Sequence, residues 1–125
     1  DGPMTVFGVG SPHPRTYGTF ARVLGSYVRE RNILSLEEAV RKMTSLPAQI
    51  LSINQRGLIK EGYYADITIF DATTVIDKAT FEDPHQYAEG IYSVLVNGVM
   101  VVEDGAHNGN LPGKVLRGPG YRLNN

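Results

Sequence analysis

The chain has 125 residues, with twelve basic against thirteen acidic side chains, a formal net charge of −1, 42% hydrophobic content and no cysteine. That balance gives no electrostatic footprint for nucleic acid or an anionic membrane, and no apolar run approaches the roughly 20 residues of a membrane-spanning helix. Without cysteine there is no disulfide framework and no thiolate site, which suits a cytoplasmic protein, and the length fits one globular domain or a piece of a larger one.

Residues 1–15 read as a loop, because Gly2, Pro3, Gly8, Gly10, Pro12 and Pro14 break any regular period. A helix is predicted from about Tyr17, where Phe20, Val23, Leu24, Tyr27 and Val28 recur on one helical face, and Asn32 suits its end. Ser35-Leu36-Glu37-Glu38 is a capping box: Ser35 accepts from the Glu38 amide and Glu38 reaches back to the Ser35 amide. Leu36, Ala39, Val40 and Met43 form the stripe of that second helix. Pro47 ends it or begins another short helix to Leu51.

After Gln55 the pattern changes. Residues 65–70 read as a strand rich in β-branched side chains. Residues 93–96 and 99–102 flank Asn97-Gly98, the pair that best tolerates the two positive φ angles of a type I′ turn, so a hairpin is expected there. Asp104-Gly105 ends the second of these strands, residues 106–113 read as a loop, and residues 114–116 as one more short strand. The chain is α+β, helical to about Asn54 and strand-rich beyond. So few short strands cannot bury their faces and edges alone.

Chemistry-bearing patterns are sparse. His13, His85 and His107 are far apart and form no His-x-His or helical metal pair, so spacing alone makes each a plain loop histidine. Gly8-Val9-Gly10 lacks the strand, third glycine and helix of a dinucleotide fingerprint. Ser11-Pro12-His13-Pro14-Arg15 is the most suggestive loop: two prolines stiffen the backbone, and an arginine held there suits bidentate capture of a carboxylate. On spacing alone a surface arginine paired with a nearby acid is the commoner outcome. Glu61 and Asp66 could do acid–base work as a pair, but their places in a turn and at a strand start favour a structural role.

Taken together, several segments change this reading. The run from Gly57 to Asp71, GLIKEGYYADITIFD, resembles a pattern near the C-terminus of many amidohydrolases. There the chain leaves a (β/α)8 barrel and joins a small β-sandwich. Ala79-Thr80-Phe81, Pro84, Gly90-Ile91, Val94-Leu95-Val96-Asn97-Gly98 and Pro112-Gly113-Lys114-Val115-Leu116-Arg117 are more specific. With His13-Pro14-Arg15, Tyr17-Gly18-Thr19-Phe20 and Arg22-Val23-Leu24-Gly25, they resemble the D-aminoacylase branch, the N-acyl-D-amino-acid deacylases.

The resemblance implies residues 1–54 as the end of the catalytic barrel and residues 55–125 as part of the sandwich. It implies a zinc-dependent hydrolase that cleaves an N-acyl-D-amino acid to a carboxylate and a free D-amino acid. Asp1 matches the catalytic aspartate that touches the metal and shuttles the proton. Arg15 matches the arginine that holds the substrate α-carboxylate, with His13 as support for that loop. The remaining metal ligands would lie upstream of Asp1, in a missing N-terminal part of the same polypeptide, so the chain alone is expected to hold no zinc and to be inactive. A cyclic-amide amidohydrolase of the hydantoinase or dihydroorotase kind, or a non-catalytic interaction module, are the alternatives.

Overall fold

In the computed structural model, which describes residues 5–122, a loop leads into α1 (Arg15–Arg22). The backbone then widens into a π-helical stretch, Val23–Glu30, and Asn32 ends it in the left-handed conformation at φ 50°. The helix lies where the apolar spacing put it, and Val23, Leu24 and Val28 of the expected face reach the core, but the buried face is shifted toward small residues. Gly18, Ala21, Leu24, Gly25 and Ser26 are buried, while Phe20 and Tyr27 face solvent. The cause is the segment at residues 75–77, which approaches so closely that small residues must face it. A Cβ added to Gly18 would lie 2.6 Å from that of Asp77, closer than atoms pack.

In α2 (Leu36–Met43) the Ser35 hydroxyl caps the Glu38 amide at 3.2 Å. The return half of the expected capping box does not form. Glu38 instead accepts a bidentate pair from Arg41 at 2.7 and 2.9 Å, because a guanidinium fork is a stronger partner for a carboxylate than a neutral amide. Pro47 falls in the first turn of α3 (Ser45–Ile50), a place where its missing N–H costs nothing.

The second half forms a four-stranded antiparallel sheet in sequential order: β1 (Ile67–Phe70), β2 (Ile91–Val96), β3 (Val99–Glu103) and β4 (Ala106–His107). Asn97 and Gly98 have φ of 50° and 80°, as the hairpin between β2 and β3 requires. The expected strand at residues 114–116 is not formed. The fourth strand is β4, in a stretch expected to be loop. Asp104-Gly105, with φ of 48° and 77°, is a second hairpin turn of the same chemistry as the first.

The helices and sheet share a core. Ala21, Leu24, Ala39 and Val75 are buried together, with Phe70, Ala88 and Ile91 packed against them. Val75 is fully buried, and its segment is held from the helical side: Arg29 donates to the carbonyls of Val75 at 2.7 Å and Ala72 at 3.2 Å. These bonds satisfy carbonyls that no strand partner reaches.

Candidate functional site

Arg15 is the first residue of α1 and follows the stiff Pro12-His13-Pro14 run. Its amide donates to His13 Nδ1 at 3.1 Å, so the imidazole caps a helix-start N–H that has no partner within the helix. The His13 ring stands edge-on to Phe81, with centroids 4.9 Å apart. His13 is thereby engaged as a brace for the turn. The Arg15 side chain is exposed and makes no ion pair among the described residues. It lines an open groove of about 670 Å³ together with His13, Arg22, Asp77 and Phe81. The second arginine there is already committed, since Arg22 pairs with Asp77 at 2.8 Å. Among the described residues Arg15 is therefore the groove cation with its hydrogen-bonding fork uncommitted, suited to a carboxylate.

The loop before it is fastened by a residue that spacing gave no reason to select. His85 Nδ1 accepts from the Gly8 amide at 3.1 Å, and Nε2 lies 3.0 Å from the Gly10 carbonyl. The Tyr17 hydroxyl approaches the same Nδ1 at 2.9 Å. Partial burial, and then Tyr87 nearby, raise the Tyr17 hydroxyl above its ordinary pKa, which keeps it a donor. Phe7 stacks on Tyr87 at 4.9 Å and stands edge-on to Tyr17 and His85. The hydrogen-bond partners of His85 lie 68 to 77 residues from it in sequence, beyond the reach of any local pattern; Pro84 before the histidine and Tyr87 after it were the available hints.

The other candidates are dispersed. Asp66 bonds Arg56 and accepts the Asn97 amide at 2.8 Å, while Glu61 stands in an exposed turn without an ion-pair partner among the described residues. The two carboxylates form no acid–base pair. Asp1 lies outside the described residues. Among those described, no three His, Asp or Glu side chains converge to hold a metal, so they do not by themselves make a zinc site.

The family profile described as Amidohydrolase family matches residues 5–102. The chain belongs to the amidohydrolase family. It is 50% identical over 105 residues to the D-aminoacylase of Alcaligenes xylosoxydans xylosoxydans, covering 84% of this chain and 22% of that protein. A solved structure of D-aminoacylase, described by its binuclear metal centre, superposes with a TM-score of 0.78 at 51% identity, covering 80% of this chain and 21% of the other. The N-acyl-D-glutamate deacylase of Bordetella bronchiseptica, solved with zinc and a phosphonate mimic of the tetrahedral intermediate, gives 0.72 at 48% identity, covering 73% and 19%. This amidohydrolase chain thus spans about a fifth of the length of the proteins it matches. The matched region includes the Arg15 turn, the Asp66 to Asn97 link, β2 and all but the last residue of β3.

Proposed function

We propose that this chain is the C-terminal part of a zinc-dependent N-acyl-D-amino-acid deacylase, comprising the last barrel helices and part of a β-sandwich. Residues 1–54 complete the barrel and residues 55–125 belong to the sandwich. The observation that carries the reading is Arg15: a guanidinium without an ion-pair partner among the described residues, on a braced helix start lining an open groove, in a chain about 50% identical to D-aminoacylase. A carboxylate clamped by that fork fixes one substituent of the stereocentre and so contributes to selecting the D-amino acid. Asp1 supplies the carboxylate that carries a proton to the departing amine.

Zinc, when bound, supplies water activation. Apart from Asp1, its ligands belong to the part of the polypeptide outside this chain, and the chain by itself is inert. His13 acts by holding the Arg15 turn and binds no metal, since its Nδ1 already accepts from the Arg15 amide.

The test is Arg15→Ala in the full-length protein. Losing an arginine that pairs with a partly desolvated carboxylate costs about 2–5 kcal/mol. The expected fall in kcat/KM on an N-acyl-D-amino acid is therefore at least about thirtyfold. Unchanged kcat/KM would remove Arg15 from the substrate site.

A further inference from the structure

We propose that His85 is a positioning residue, which fastens the residue 6–10 loop to the first turn of α1 and so sets where Arg15 stands. The inference rests on the reading of Arg15 as the carboxylate anchor. Its geometry is that of a clasp. The Gly8 amide can only donate and the Gly10 carbonyl can only accept, so Nδ1 is the acceptor and Nε2 carries the proton. Tyr17 shares Nδ1 by donating its hydroxyl. One neutral imidazole thus ties two points of the loop to one point of the helix, and both ring nitrogens are used.

The loop needs such a clasp. Gly8 and Gly10 have φ of 79° and 71°, and a Cβ at either would meet open space. The glycines therefore serve backbone conformation rather than packing, and glycine conformations are entropically costly to hold. Within the loop one local backbone bond, Val9 to Val6 at 3.0 Å, contributes. A second fastening comes from the same segment as His85, where Tyr87 stacks on Phe7 at 4.9 Å. The consequence falls on Arg15. Gly10 is held on one side of it and Tyr17 on the other, with Pro12 and Pro14 stiffening the stretch between. Releasing His85 frees both ends of that stretch while leaving the Arg15 side chain chemically unchanged.

The experiment compares His85→Ala and His85→Gln in the full-length enzyme, with KM, kcat and chymotryptic cleavage after Phe7 as readouts. The alanine variant should raise KM for an N-acetyl-D-amino acid about tenfold with kcat within about threefold, the split expected when binding geometry is lost and chemistry is not. Cleavage after Phe7 should accelerate. Glutamine offers an acceptor and a donor on one side chain, so it should recover most of KM and of the protease resistance. An alanine variant with unchanged KM, or with a loop as resistant as the wild type's, overturns the proposal, as does glutamine behaving like alanine. Wild-type enzyme that turns over no N-acyl-D-amino acid overturns the deacylase reading and the substrate half of this inference. The cleavage rates then still confirm or refute the clasp.

Discussion

Gly25 lies directly against the carbonyl of Val75: a Cβ built on Gly25 would stand 2.5 Å from that oxygen and 3.1 Å from the Ile76 Cα. Both obstacles are backbone, so neither can swing aside. This contact seats Val75, the largest fully buried side chain among the described residues, against the helix. Gly25→Ala should therefore destabilise the full-length protein by about 1–3 kcal/mol, as forced overpacking does, despite alanine's better helix propensity. Denaturant unfolding checks it. A variant as stable as the wild type would mean the two backbones do not meet as described.

Asp66 links strand and turn. It bonds Arg56, whose guanidinium stacks over Tyr64 at 4.2 Å, and accepts the Asn97 amide at 2.8 Å. Asn97 in turn donates to the Pro112 carbonyl at 2.8 Å. Asp66→Ala leaves a largely covered guanidinium, 11% exposed, without its carboxylate. The expected loss of stability is about 1–3 kcal/mol. Activity of the folded fraction should be retained, because this network is built apart from the Arg15 groove. Loss of turnover in a fully folded Asp66→Ala enzyme would contradict its structural assignment.

Much of this architecture was legible in the sequence for definite reasons. Asn97-Gly98 specifies a turn through backbone sterics alone, and Ser35 caps its helix through a contact three residues away. Both are local effects. Asp104-Gly105 carried the same turn chemistry, yet the strand after it is only two residues long, Ala106 and His107, both exposed, so no alternation marked β4. The buried face of the first helix was legible only in part, through Val23, Leu24 and Val28, because its partner, the segment at residues 75–77, is about fifty residues away. The small residues at positions 18, 21 and 25 make sense only against that backbone. His85 escaped for the same reason: its role exists only once the fold brings it to Gly8 and Gly10. Arg15 was singled out by its proline-stiffened context and its family pattern together, and its role in holding substrate is a proposal.

The Glu38–Arg41 pair gives a pH-dependent signature. Chiefly through the Arg41 hydrogen bonds, Glu38 is held at about 2, below the ordinary 4.5. A carboxyl whose pKa is lower in the folded state contributes stability that is complete above pH 4.5 and is lost as pH falls toward 2. The pair is solvent-exposed, so the contribution is modest. The stability difference between wild type and Glu38→Gln should accordingly shrink from pH 6 to pH 3, read as urea midpoints at both values. A difference that stays constant or grows on acidification would show that Glu38 titrates at its ordinary pKa.

As proposed, this chain completes an enzyme acting on N-acyl-D-amino acids. The most direct measurement is steady-state hydrolysis by the full-length protein of N-acetyl-D- and N-acetyl-L-amino acids, with hydantoins as the cyclic-amide comparison, before and after zinc chelation. Turnover of the D-enantiomer with kcat/KM at least about a hundredfold above the L-enantiomer is predicted, since a stereocentre clamped through its carboxylate rejects its mirror image by several kcal/mol. That activity should disappear with chelation and return with zinc. Equal turnover of both enantiomers, preference for the cyclic amides, or full activity without metal would contradict the assignment.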